Sequence, residues 1–190
     1  MTVERIKEIA RESIETKRAF FESHSATVVE AAYMIVGSLK AGGKLLVFGN
    51  GGSAADAQHI AAELVNRLTG DRPPIAAIAL TTDTSILTSI GNDSSFDEVF
   101  ERQVRALGRA GDVVLAISTS GNSPNVVRAV SAARELSIRT IGMTGRTGGK
   151  LASLVDVALI VDAESTQRIQ ETHITIGHVL CELIEESLFP

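Results

Sequence analysis

Five short apolar runs set the limits on what this chain can become: Lys44–Phe48, Ile75–Ala79, Val113–Ile117, Thr140–Met143 and Val157–Val161. None alternates apolar with polar residues, so each predicts a strand covered on both faces, as in a parallel sheet between layers of helix. Helical patterns over Ser53–Leu68, Phe96–Leu107, Asn125–Leu136 and Thr166–Leu188 separate and follow the runs. The alternation predicts the α/β class: a doubly wound, five-stranded parallel sheet flanked by helices, of flavodoxin-like type. Ahead of the first strand, Val3–Glu22 and Ala26–Lys40 read as an N-terminal helical hairpin that Gly42-Gly43 ends. Ile6, Ile9, Ala10, Ile14 and Lys17 fall three and four apart, which predicts one buried helical face. No repeat or Pro/Ser-rich linker interrupts the pattern, so residues 1–190 are expected to form a single domain.

Composition removes several classes of function. The net charge is -5 and the pI about 5.4, with no basic stripe of the kind nucleic-acid binding needs. Aromatic residues make up 4% and tryptophan is absent, which leaves no stacking platform for bases. No apolar run reaches the roughly 18 residues of a membrane-spanning helix. The first twenty residues are charged and helix-periodic, unlike a secretory signal. A single cysteine, Cys181, cannot form an internal disulfide. A cytoplasmic protein is expected, with Cys181 a small buried residue.

Two loops are suited to an anionic, hydroxyl-rich ligand. Gly49-Asn50-Gly51-Gly52-Ser53 follows the first strand, and Ser118-Thr119-Ser120-Gly121-Asn122-Ser123-Pro124 follows the third. Both sit at strand-to-helix corners, where open α/β sheets bind ligands. Glycine lets the backbone approach a ligand, while four hydroxyls in the second loop and the amides of the next helix suit a phosphate. Asn50 and Ser53 suit a polyhydroxylated chain. Short Ser/Asn/Gly caps also precede ordinary helices, but here two occupy equivalent sheet positions. Neither loop carries the Gly-Lys-Ser/Thr ending of a nucleotide-hydrolysing loop, and Gly-x-Gly-x-x-Gly is absent.

A metal or acid/base set lies nearby in sequence. His59 and Glu63, four residues apart, share one helical face. Such a pair is most often a solvated helix pair, but the closing segment adds Gln170, His173 and His178. His59, Glu63 and His178 together offer two nitrogens and an oxygen, a donor set for zinc or a similar divalent ion. Glu63 could also act as a proton-transfer base with His178 as its partner acid. His173 and His178 do not share a face, so at most one should point into the site. On one helix, Gln170 and His178 would be separated by about 12 Å along the axis. Either the helix starts irregularly near Gln170, or a second subunit completes the site. His24 reads as exposed between two helices, and Glu12, Glu15, Glu22, Glu30, Glu182, Glu185 and Glu186 read as solvent faces.

Asn50-Gly-Gly-Ser53, His59-x-x-x-Glu63, Gly91-Asn-Asp93, Ser118-Thr-Ser-Gly-Asn-Ser123 and Arg168-Ile-Gln-Glu-x-His173, followed by His178, resemble the phosphoheptose isomerase family of the sugar isomerase (SIS) superfamily. The resemblance runs from the N-terminal helices to Phe189. It implies conversion of D-sedoheptulose 7-phosphate to D-glycero-D-manno-heptose 7-phosphate, at the start of nucleotide-activated heptose synthesis. It implies one zinc ion per subunit on His59, Glu63, Gln170 and His178, with Glu63 and His178 doing the acid/base work. Substrate contacts are implied at Asn50, Gly51, Gly52, Glu63, Asn92, Asp93, Ser118, Thr119, Ser120, Ser123 and Gln170. Ser53 and Arg67 lie in the same motif neighbourhoods. A homotetramer with sites between subunits is implied, residues 1–42 serving oligomerisation, with neither nucleic acid nor membrane as partner. The alternative is a non-catalytic SIS paralogue that binds the bacterial replication initiator; that paralogue lacks the carboxylate that Glu63 supplies. A sugar-phosphate-sensing regulator would need a DNA-binding segment, which the acidic N-terminal helices do not resemble.

Overall fold

A computed structural model describes residues 1–68 and 70–190. Helix α1 (Val3–Lys40) leads into β1 (Leu45–Gly49), α2 (Gly52–Val65), β2 (Ala77–Ala79) and α3 (Thr84–Asp93). A 3-10 turn (Phe96–Glu98) and α4 (Glu101–Leu107) precede β3 (Val113–Ser118) and α5 (Pro124–Glu135). Then come β4 (Arg139–Gly145), α6 (Gly149–Leu154), β5 (Val157–Val161) and α7 (Thr166–Leu188). The five strands are parallel in the order β2-β1-β3-β4-β5, with Gly49 in register with Ile117.

The lack of alternation in the strands has a direct cause: both faces of the sheet carry a core. Leu45, Val47, Leu115, Ile117 and Met143 pack under α1, α2 and α7. Leu46, Phe48, Val114 and Ala116, pointing the other way, pack under α4, α5 and α6. Each of these Val, Leu, Ile, Phe and Met side chains, shut off from water, contributes about 1.5–3 kcal/mol of burial. The layering also places the ligand edge. α2 leaves β1 toward one layer and α5 leaves β3 toward the other, although β1 and β3 are neighbours. The carboxyl ends of these two strands therefore open a crevice, the switch point of this topology.

Some expectations change. The N-terminal segment is one continuous helix of 38 residues, not a hairpin. Neither glycine nor proline lies between Glu22 and Ala26, and the Ser23 and Ser25 hydroxyls bond back to the carbonyls of Ala19 and Phe21 within the helix. His24 is therefore helical and half-buried, stacked on Phe20. The stripe Ile6, Ile9, Ala10 and Ile14 is apolar but exposed in the single chain, although Arg168 of α7 donates to the Ile9 carbonyl at 2.8 Å. The segment Phe96–Leu107 divides into the 3-10 turn and α4, with Val99 and Phe100 buried at the join. Helices α3 and α6 were not foreseen: α3 buries no residue and α6 spans a turn and a half. Glu185 is buried rather than solvated. No described helix is long and apolar enough to cross a membrane.

Candidate active site at the carboxyl ends of β1 and β3

The two loops rise side by side from β1 and β3. Gly51 has φ 57, a left-handed conformation that favours glycine and lets the chain turn straight into α2. A Cβ on Gly52 would lie 2.7 Å from the Gln170 amide, so the missing side chain lets α7 approach the start of α2. Gly121 (φ 62) is pressed against the Gly148 carbonyl, which ties the second loop to the start of α6. The Leu151 amide donates to the Gly121 carbonyl at 2.9 Å, and the Lys150 amide to Asn122 Oδ1 at 3.1 Å. Ser123 precedes α5 without capping it; its hydroxyl instead meets that of Ser118 at 3.0 Å. Thr119 is half-buried and Ser120 exposed, the Ser120 hydroxyl accepting from the Asn122 amide at 3.1 Å.

Asn50 carries its own surprise. Its side-chain amide donates to Asn125 Oδ1 at 2.9 Å and accepts from Asn125 Nδ2 at 2.9 Å. What Asn50 presents to a ligand is chiefly its backbone. Asn125 went unnoticed in the sequence; the one signal for it was a buried-type polar residue directly after the Ser-Pro of the second loop.

One layer behind the first loop, α2 and α7 run side by side in the same direction. Gln170 lies against Gly52, and eight residues further along α7 His178 meets His59. The two Nε2 atoms are 2.8 Å apart, a hydrogen bond in which one ring donates and the other accepts. Glu63 Oε1 lies 3.4 Å from His59 Nε2. The fold thus brings His178 to His59 and Glu63, whose four-residue spacing sets them on one face of α2. Asp56, one turn before His59, was missed although it shares that face. Its Oδ2 is buried with no hydrogen-bond partner among the described residues, and burial pushes its carboxyl up despite the neighbouring His59 and His178. Cys181 is buried and its thiol is pushed up to about 12, by burial first and then by the Glu63 charge, which makes it no nucleophile at neutral pH.

Among the described residues no three His, Cys, Asp or Glu side chains form a finished metal cage. The donor chemistry nevertheless fits zinc. Two imidazole nitrogens on one tetrahedral ion stand roughly 3.3 Å apart, so the facing rings need part by only about half an ångström. Gln170 does not join them, since α7 is regular from Thr166 to Leu188 and holds it at the level of Gly52. The irregular helix start is thereby ruled out. His173 points elsewhere: fully buried, it donates through Nε2 to the Thr144 carbonyl at 3.1 Å. Asn92 and Asp93 lie at the exposed end of α3, bonded to each other at 2.7 Å, and not in a loop. Arg67, beyond the end of α2, is exposed and 3.8 Å from Asp71. Among the described residues, no hydrogen bond or ion pair joins either group to the two loops.

The crevice itself is shallow. A cavity of about 120 Å³ lies at the first loop, lined by Asn50, Gly51, Thr81 and Phe96 among others. A larger cleft, about 520 Å³, lies at the opposite end of the sheet by Gly111, Val113 and Arg139, away from the two loops and the paired histidines.

Residues 9–145 match the SIS domain family. Over 184 residues the chain is 58% identical to the phosphoheptose isomerase of Aquifex aeolicus, covering 97% of this chain and 96% of that one. A solved phosphoheptose isomerase from Neisseria gonorrhoeae is 50% identical with a TM-score of 0.92, over 96% of this chain and 98% of that one. Another, from Francisella tularensis, is 38% identical with a TM-score of 0.94, over 98% of this chain and the whole of that one.

Proposed function

The chain belongs to the phosphoheptose isomerase family of SIS-domain proteins, and on that premise we propose that its site converts D-sedoheptulose 7-phosphate to D-glycero-D-manno-heptose 7-phosphate. The protein is an isomerase of heptose biosynthesis. The observation that carries the reading is the meeting of Glu63, His59 and His178 between α2 and α7, directly behind the first of two anion-type loops.

The ketose carries its carbonyl at C2 and the aldose at C1. The change needs a proton off C1, a proton onto C2, and one proton moved from the C1 oxygen to the C2 oxygen, through an enediol. Glu63, one-fifth exposed and beside the paired imidazoles, is the base that takes the C1 proton and returns it to C2. His178 moves the proton between the oxygens. The hydroxyls of Ser118, Thr119, Ser120 and Ser123 grip the phosphate, which orients the far end of the sugar with binding energy remote from the reacting carbons. Gly51 and Gly52 bring backbone close to the carbon chain, with Ser53, Asn50 and Gln170 around them.

A zinc ion, one per subunit, would be held by His59, Glu63 and His178. When bound, it would supply positive charge that stabilises the developing enediolate. Gln170 is the remaining donor of the expected set, and a neighbouring subunit would bring it, or Asn92, Asp93 and Arg67, into range. The shallow single-chain crevice and the exposed apolar stripe on α1 support a homotetramer with sites between subunits. The protein is expected in the cytoplasm.

The test is turnover of sedoheptulose 7-phosphate before and after chelation. Activity should vanish with the metal and return with zinc. Unchanged turnover by protein verified to be metal-free would remove zinc from the mechanism, and no turnover by zinc-loaded protein would remove the assignment itself.

A further inference from the structure

The pair Asn50–Asn125 spans 75 positions of sequence and ties the first loop to the first turn of α5, directly after the second loop. Among the described residues, theirs are the only side-chain hydrogen bonds that do so. The amides face head to tail, each donating once and accepting once. Asn125 Oδ1 also accepts from the Val126 amide at 2.9 Å, which fixes the Asn125 side chain on the first turn of α5. Asn125 is 2% exposed, so it touches no ligand itself and water does not compete for its bonds. Only asparagine at both ends satisfies this arrangement in so little space. Aspartate at either would set two acceptor oxygens face to face, and alanine would leave a buried amide unpaired.

We propose that Asn125 is a positioning residue: through Asn50 it sets the spacing between the loop that meets the carbon chain and the loop that grips the phosphate. This rests on the substrate reading given above. Each loop is shaped by its own contacts: the first by the Gly51 turn, the second by its bonds to Leu151 and Lys150. The amide pair adds their registry. A ligand that reaches both loops gains from that registry, because its second contact becomes intramolecular once the first has formed. A ligand that reaches one loop gains nothing.

The experiment uses Asn125→Ala in the zinc-loaded full chain. Michaelis constants for sedoheptulose 7-phosphate are compared with inhibition constants for inorganic phosphate, which probes the second loop alone. We expect the Michaelis constant to rise roughly ten- to hundredfold, with phosphate inhibition within about twofold of the unaltered protein. Asn50→Ala, which breaks the same pair but leaves Asn125 on Val126, should give the same split and serves if Asn125→Ala does not fold. A Michaelis constant within twofold of the original overturns the proposal. So does parallel weakening of phosphate, which would make Asn125 part of the phosphate loop, or a fall in kcat alone, which would mark a folding defect. If phosphate fails to compete with substrate in the unaltered protein, the assignment of the second loop falls, and the proposal with it.

Discussion

Arg72 and Glu185 form an ion pair of 2.8 Å with only 3% and 10% of their side chains exposed. The pair joins the end of α2 to α7, the two helices that bear His59, Glu63 and His178. Arg72 also donates to the carbonyls of Glu63 and Leu64, each at 2.9 Å, and so joins the Ile75 amide in satisfying the carbonyl end of α2. Glu185 in turn accepts from the Gly70 amide at 3.0 Å. Removing one partner of a buried pair leaves a charge without its counter-ion, at a cost of about 3–5 kcal/mol. Arg72→Met should therefore lower the urea midpoint strongly, and Arg72→Met with Glu185→Leu should recover part of the loss. A single variant within about 1 kcal/mol of the original would show the pair to be dispensable.

Among the described residues, Glu63 is the only carboxylate within 4 Å of either paired imidazole. Replacing it with glutamine keeps the volume and removes the proposed base. Turnover should fall by at least the 10²–10⁴-fold typical of a general base, with the circular dichroism spectrum retained. Proton exchange at C1, followed in deuterated water, should fall with it. Normal turnover by Glu63→Gln would assign the base elsewhere.

The sheet, its five strands and the two loops were legible because each rests on local pattern: apolar runs for a core on both faces, and glycine and hydroxyl residues at corners. What escaped was set by distant contacts. The continuity of α1 depended on hydroxyls bonding within the helix rather than capping a break. Glu185 looked like one more surface glutamate of α7 until Arg72 folded back from the α2–β2 connection to meet it. The Asn50–Asn125 pair needed the adjacency of β1 and β3, which sequence order conceals. The His59–His178 contact was within reach because each lay in a motif, but its 2.8 Å geometry was not.

His173 makes stability depend on pH. Burial pulls its imidazole down to about 4 from an ordinary 6.5, while Nε2 donates to the Thr144 carbonyl and Nδ1 has no hydrogen-bond partner among the described residues. Between these values the unfolded chain binds a proton that the folded chain refuses, so stability rises with pH across the window. This contribution is complete above pH 6.5 and declines as pH falls toward 4, by up to about 3 kcal/mol. Urea unfolding at several pH values measures it. His173→Gln keeps a donor for Thr144 and removes the titration, so its stability should change less across that window. Equal slopes for both proteins would assign the acid sensitivity to other groups.

The first half of α1 holds Val3, Ile6 and Ile14 at more than 60% exposure, on a helix otherwise rich in charge. An apolar stripe of this kind on a helix is stable in water when another chain covers it. Its length argues the same way: 38 residues span about 57 Å, well past the sheet it packs on. Ile6→Glu with Ile14→Glu should therefore shift the protein toward smaller species in sedimentation velocity. The core below Phe20 should be untouched, so the circular dichroism spectrum should be retained. Turnover should fall with the loss of assembly, because Gln170 and Asn92 reach no histidine of their own chain's site. If the variant remains as large as the original, this stripe is not the interface; if it dissociates with full activity, each chain holds a complete site.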